Sequence, residues 1–462
     1  MCIRDSPSRR SVLAAGAAVT AFNIVPSSVL AQAAKKKKSA FSDDMQQLPP
    51  SERLNIGFVG AGGKGQANIK GCMHHNIHTL CDVDADRASE AFKYFSKAKQ
   101  YDDWRVMLEK EAKNLDGVVI TTPDHNHAVI TMAAMQLGLP VYTEKPLTRT
   151  ISEARILADY ARKNKIITQM GNQGHSNSQA RMAVEWIQSG VLGDVKEVHC
   201  WTNRPIWPQD IVRPVAEPVP SGMNWDVWLG PAPDAPYSSK IAPFSWRGYW
   251  DYGAGALGDM AAHIIDHPVW ALGLGAPESV EVQFERNDPA SSKDTFPVST
   301  VVTYQFAARG DQPPVTLKWF DGKNLPPRPA GLEETRSLTK SGTIYLGEKY
   351  SMLQDCYGSS PRIFPETDMR EIAPTLKQVP KTLPRVSSHY EEWISAIKAT
   401  DPSMAMSNFD YAGPLTEIML LGCVATRVGP GTKLTWDAAT MKTNNDVANR
   451  YVQHEYRKGW RL

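Results

Sequence analysis

Leu54-Asn55-Ile56-Gly57-Phe58-Val59-Gly60-Ala61-Gly62-Gly63-Lys64-Gly65 runs a short apolar strand straight into a glycine-rich turn. In that context each glycine has a separate task. Gly60 permits the tight turn, Gly62 lets the backbone approach a pyrophosphate, and Gly65 lets the next helix pack closely on the strand. Gly63 and Lys64 complete the turn, and the helix that follows offers free N–H groups and a partial positive charge to phosphates. A second strand, His78–Val83, carries Asp82 seventeen residues beyond Gly65. An acidic side chain there accepts both ribose hydroxyls of NAD and repels the 2′-phosphate of NADP. Asp84 follows, with no basic residue before Arg87, so NAD is expected over NADP. A third strand, Gly117–Thr121, leads into Thr122-Pro123-Asp124-His125-Asn126-His127, and Thr121, Thr122, Pro123 and His127 join the candidate cofactor contacts.

Further along, Val141-Tyr142-Thr143-Glu144-Lys145-Pro146-Leu147-Thr148 resembles the EKP signature of the Gfo/Idh/MocA oxidoreductases. The resemblance extends over about residues 53–430. It implies that Lys145 sits beside the nicotinamide and contacts the reacting hydroxyl, with Glu144 also at the cofactor. A cation beside a developing alkoxide stabilises that charge where water is excluded. Asp259-Met260-Ala261-Ala262-His263 resembles the family's DxxxH helix, with Ala262 where glycine is usual. Four residues apart on a helix, Asp259 and His263 share one face. The unperturbed pKa of a histidine suits a general base near neutrality, the role expected of His263, and Asp259 can orient it or bind a neighbouring hydroxyl. By the same resemblance, Gly171-Asn172-Gln173-Gly174-His175 and Arg181 supply Asn172 to the nicotinamide side and His175 and Arg181 to the substrate.

Between Trp201 and Tyr252 the chain collects Trp201, Asn203, Arg204, Trp207, Trp225, Trp228, Trp246, Arg247, Tyr249, Trp250, Asp251 and Tyr252. Apolar rings beside Asn, Asp and Arg suit the apolar faces and polar edges of a sugar, although about half of these rings are expected to be packing residues. Arg247, Tyr249, Trp250 and Asp251 approach the catalytic helix in sequence and are the chosen substrate contacts.

The architecture implied is an α/β Rossmann domain over residues 51–172, then an α+β domain over 173–462 built on a large, mostly antiparallel sheet. Val195–Trp201, Ser279–Phe284, Ser299–Phe306 and Val315–Trp319 alternate as strands should, and Pro361–Pro365 reads as a loop. Tyr390–Lys398 and Leu415–Val428 read as helices, the second apolar enough to be buried. The resemblance implies a homo-oligomer, dimer or tetramer.

Ser8-Arg9-Arg10-Ser11-Val12-Leu13, an apolar run to Leu30 and Ala31-Gln32-Ala33 form a twin-arginine signal peptide over residues 1–33. Residues 34–50, with the Lys35–Lys38 run and Pro49-Pro50, read as a linker. The run is short for a membrane span and contains Pro26, so no stable membrane anchor is expected. Export to the periplasm or beyond follows, and export favours a tightly held NAD. With a net charge of +2 and four cations already in the linker, nothing points to nucleic acid. Six scattered cysteines form no CxxC pair. Cys72, His74, His75, His78 and Cys81 cluster, but their spacing matches no zinc finger, and no metal is expected.

Three functions fit these residues. The first is an NAD-dependent oxidoreductase acting on a hydroxyl of a sugar, sugar derivative or cyclitol. The second is a redox-neutral glycosidase with tightly bound NAD, cycling through oxidation, elimination, hydration and reduction. The third is a non-catalytic sugar-binding module, against which intact Gly60, Gly62, Gly65, Lys145 and His263 count.

Overall fold

A computed structural model describes residues 40–41 and 47–462. The twin-arginine segment and most of the linker lie outside them. Among the described residues no helix is long and apolar enough to cross a membrane.

The first sheet is wholly parallel, in the order β3-β2-β1-β4-β5-β6. Its strands are β1 (Asn55–Val59), β2 (Asn76–Cys81), β3 (Lys99–Tyr101), β4 (Gly117–Ile120), β5 (Val141–Thr143) and β6 (Thr168–Met170). The order reverses between β1 and β4, which opens a crevice at the carboxyl ends of the strands, the place where doubly wound sheets bind ligands. β4 and β5 are buried along their whole length, as strands covered on both faces must be.

The second sheet has nine strands in the order β13-β12-β11-β7-β10-β9-β8-β14-β15. They are β7 (Val195–Thr202), β8 (Ser279–Gln283), β9 (Val301–Phe306), β10 (Val315–Phe320), β11 (Ser341–Gly347), β12 (Ser351–Asp355), β13 (Arg362–Phe364), β14 (Leu434–Asp437) and β15 (Lys442–Thr443). Every pairing is antiparallel except β7 with β10. The fold is thus a Rossmann sheet followed by an α+β domain on a mostly antiparallel sheet.

Three local readings change. The short strand β3 pairs with β2 ahead of Gly117–Ile120, so the expected third strand is the fourth. Pro361–Pro365 contains the short edge strand β13 rather than loop alone; an edge strand tolerates flanking prolines because one row of its backbone groups needs no partner. The buried helix begins at Phe409, not Leu415. Asn408 caps it by accepting from Asp410 N at 3.1 Å, so the helix forms upstream of the interior Pro414. One helix from the C-terminal part, His389–Ala399, packs Trp393 and Ile394 into the core of the first sheet together with Phe58, Val119 and Tyr142. The first sheet therefore completes its core with residues more than two hundred positions away.

Candidate active site

The glycine turn has the shape its composition implies. Gly60 holds φ +91°, and a Cβ there would lie 2.4 Å from Thr121 O. A Cβ on Gly65 would lie 1.9 Å from Gly60 O, so the Lys64–Gly71 helix seats on the turn only because that position is bare. No side chain caps the N-terminus of this helix, which leaves N–H donors for an anion. Arg87 lies across the turn: its Cγ would be 2.6 Å from a Cβ on Gly62 and its Nη2 2.5 Å from one on Gly63.

Asp82 ties β2 to the turn. Its Oδ2 accepts from Ala61 N at 2.8 Å and Gly62 N at 2.9 Å, and its Oδ1 from Asp84 N at 3.0 Å. Burial raises its pKa, opposed by those three backbone donors. The carboxylate still lines the cleft and keeps lone pairs for further donors.

That cleft, of about 310 Å³, runs from the glycine turn to the second domain. Gly60, Gly62, Lys64, Asp82, Thr121, Thr122, Pro123, Glu144, Lys145, Arg247, Asp259 and His263, all singled out from sequence, line it. Lys145 Nζ donates to Asp259 O at 2.6 Å and to Asp259 Oδ1 at 2.8 Å. Burial pushes the Asp259 carboxyl up, but Lys145 and Arg247 outweigh it and hold the pKa at about 2. Burial, then the charge of Lys145, drives His263 well below the ordinary histidine value, so the ring is neutral. Its Nδ1 is buried without a hydrogen-bond partner, and Tyr357 packs edge-on at 5.0 Å. A neutral imidazole and a cation fixed by a carboxylate thus share one wall. Such a pair can take a proton from a hydroxyl and steady the oxygen left behind.

Glu144, on the cleft wall, is held by neighbouring donors. It accepts from Asn68 Nδ2 and Gln173 Nε2, both at 3.1 Å, and meets Lys64 at 3.6 Å. His127 is buried behind the lining: its ring nitrogens contact Pro146 O at 2.8 Å and Thr122 O at 2.9 Å, which pins the EKP loop to the Thr-Pro turn. Asn172 is wholly buried, its Oδ1 accepting from Ser407 Oγ at 2.6 Å, and it does not line the cleft.

Five expected substrate contacts lie elsewhere. His175 is buried, bonded to Asp266 at 3.0 Å and stacked on Trp270 at 3.9 Å. Arg181 is fully buried, donating to Glu392 Oε1 at 2.5 Å, Pro384 O at 2.6 Å and His175 O at 3.1 Å. Tyr249 belongs to a buried aromatic cluster, Trp250 packs on Phe296 at 3.7 Å, and Asp251 pairs with Arg213 at 2.5 Å. His175, Arg181 and Asp251 have thus found partners within the protein, and Tyr249 and Trp250 are packed among aromatic rings away from the cleft. Conversely, Asp124, Gln173 and Tyr357 line the cleft and are not singled out by sequence, while Arg204 and Trp246 emerge from the wider aromatic set. Asp124 begins the helix after the Thr-Pro turn, a position its place in the βα connection after β4 does announce.

His74, His75 and Glu391 bring one ligand atom each within 4.8 Å. His75 Nδ1 accepts from Leu54 N at 3.0 Å, which puts the proton of the neutral ring on Nε2 and leaves it no lone pair for an ion.

A crevice at the strand-order reversal is thus lined by a bare glycine turn and a Lys–Asp–His constellation, the arrangement of a dinucleotide site with ionisable groups beside it. Family models for an oxidoreductase family match residues 54–172 as an NAD-binding Rossmann fold and 186–312 as its C-terminal alpha/beta domain, together more than half the chain. The chain belongs to this Gfo/Idh/MocA family. It is similar to a levoglucosan dehydrogenase of Pseudarthrobacter phenanthrenivorans, 24% identical over 48% of this chain and 52% of the relative. It is also similar to an alpha-N-acetylgalactosaminidase of Shewanella oneidensis, 24% identical over 40% of this chain and 44% of the relative. The matches thus span about half the length of these curated relatives. Among solved structures, the WlbA dehydrogenase from Bordetella pertussis, in complex with NADH and UDP-GlcNAcA, has a TM-score of 0.57 at 15% identity. That likeness, over 83% of this chain and 99% of the other, is one of fold.

Proposed function

We propose that this protein is an NAD-dependent oxidoreductase acting on a CH–OH group of a sugar, sugar derivative or cyclitol. The observation that carries this reading is the Lys145–Asp259 pair facing the same cleft as the unpartnered, neutral His263. Gly60, Gly62, Gly63, Lys64 and Arg87 would hold the pyrophosphate, Asp82 the ribose, and Thr121, Thr122, Pro123 and Glu144 the approach to the nicotinamide. The bare turn and the uncapped helix N-terminus fit that group. Bound NAD supplies the acceptor for the hydride that leaves the carbinol carbon. His263 takes the hydroxyl proton, Lys145 steadies the alkoxide oxygen, and Asp259 fixes Lys145 in place. Asp82 supports NAD over NADP by its charge. A homo-oligomer, export by the twin-arginine route and tight retention of the cofactor complete the proposal.

The likeness to an alpha-N-acetylgalactosaminidase supports a second reading, the redox-neutral glycosidase, in which the same Lys145 and His263 serve each half-reaction. Proton NMR of the purified protein with a panel of glycosides in D₂O, without added cofactor, separates the two. An oxidoreductase gives no reaction until NAD or a second sugar is supplied. Cleavage with deuterium entering the ring beside the oxidised carbon would instead establish the glycosidase cycle.

A further inference from the structure

The substrate end of the cleft carries three fixed cations around one firmly ionised carboxylate. Asp259 already gives its Oδ1 to Lys145 at 2.8 Å. Arg247 Nε stands 3.5 Å from Oδ1 and Arg204 Nε 3.7 Å from Oδ2, beyond a normal hydrogen bond. Neither guanidinium is satisfied there. Arg204 Nε is buried without a hydrogen-bond partner, and Arg247 makes one bond, to Phe244 O at 3.1 Å. Arg247 Cζ lies over the Trp246 ring, 4.2 Å from its centre, a contact that helps to place the guanidinium before anything binds. Of the other carboxyls nearby, Glu144 meets Lys64 on the cofactor side, and burial pushes Asp124 up to about 7. Counting Asp124 as fully ionised still leaves one cation in excess among Lys145, Arg204, Arg247, Asp259 and Asp124.

A guanidinium fork matches the two oxygens of a carboxylate or phosphate, and two forks beside one already engaged carboxylate favour a further anion. A neutral sugar would leave both arginines facing Asp259 at 3.5–3.7 Å, too far for a hydrogen bond. We propose that the substrate is an anionic sugar whose oxyanion, a uronate carboxylate or a sugar phosphate, is received between Arg204 and Arg247. Lys145 and His263 then face a hydroxyl of the same ring, and Trp246 and Tyr357 supply the apolar wall. The inference rests on the sugar oxidoreductase reading above and narrows its substrate class.

The test is calorimetric titration of the full-length protein saturated with NADH. The ligands are D-glucuronate, D-galacturonate, glucose 6-phosphate and galactose 6-phosphate, each against its neutral parent. At least one anionic sugar should bind about ten-fold or more tightly than its parent, the worth of one charge-assisted contact. Arg204→Gln and Arg247→Gln should each erase that advantage while NADH still binds, which shows the variants folded. A uronate or a phosphate as the better ligand identifies the source of the oxyanion. Equal or tighter binding of the neutral parents, or an advantage that survives both substitutions, overturns the charge assignment and leaves the oxidoreductase reading standing. Binding of no sugar, with NADH bound, overturns both.

Discussion

Replacing Lys145 by alanine probes the centre of the mechanism. Lys145 makes two hydrogen bonds to Asp259 and faces the cleft beside His263. Loss of one preorganised donor at a developing oxyanion costs a factor of about 10²–10³ in turnover, or about 3–4 kcal/mol. A stability effect accompanies it. Asp259 has a folded pKa of about 2 against 3.8 for the free group, a difference equivalent to about 2 kcal/mol. The folded value is depressed, so this stabilisation is present above pH 3.8 and is lost as pH falls through 2. Lys145 is the largest favourable contributor, and Arg247 and Arg204 supply the remainder. Because Lys145 also offsets the burial cost of the carboxylate, Lys145→Ala should destabilise the fold by about 2 kcal/mol or more at pH 7. The assay is kcat/KM on an accepted sugar together with NADH fluorescence titration. Turnover within ten-fold of the parent, with nucleotide bound, would refute the role given to this lysine.

Asp124 predicts a pH dependence of opposite sign. Its pKa is raised to about 7 chiefly by burial, so the folded state holds a proton that the unfolded state releases, and stability falls as pH rises from about 4 to 7. Asp124→Asn should flatten that part of the curve and raise stability at pH 8 by about 2–4 kcal/mol, read from urea melts at pH 5 and pH 8. Arg181→Met should cost about 3–5 kcal/mol, because it leaves Glu392 buried without its cation; an unchanged melting temperature would return Arg181 to the list of ligand contacts.

The readable parts of the site are those built from local backbone rules. Gly60, Gly62 and Gly65 declare themselves because no side chain fits where their Cβ atoms would go. Asp82 follows one strand later at a spacing the βαβ unit imposes. Asp259 and His263 announce a helix face through a four-residue interval. Residues whose roles depend on which way an irregular segment turns were not readable in this way. Tyr249, Trp250 and Asp251 stand two to four residues after Arg247, yet that arginine alone of the four lines the cleft. Their own partners, Arg213 and Phe296, come from distant loops. His175 and Arg181 have the chemistry of ligand contacts, but Asp266 and Glu392 meet them inside the core.

The sequence by itself determined the Rossmann turn, the acidic end of β2, the Lys145 loop and the Asp259–His263 helix. The turn and the helix face are specified by sterics and periodicity within a few residues, while the roles of Lys145 and of the Asp259–His263 pair rest on the resemblance to the family's motifs. Only the tertiary structure decided what surrounds them: Arg204 after β7, the Trp246–Arg247 turn, Tyr357 after β12 and Asp124 after β4 converge from four separate segments. Charge is the physical reason this matters. A carboxylate at 2.8 Å from a lysine and 3.5–3.7 Å from two arginines acts on all three, and Coulombic coupling depends on distance in space, which spacing along the chain does not give.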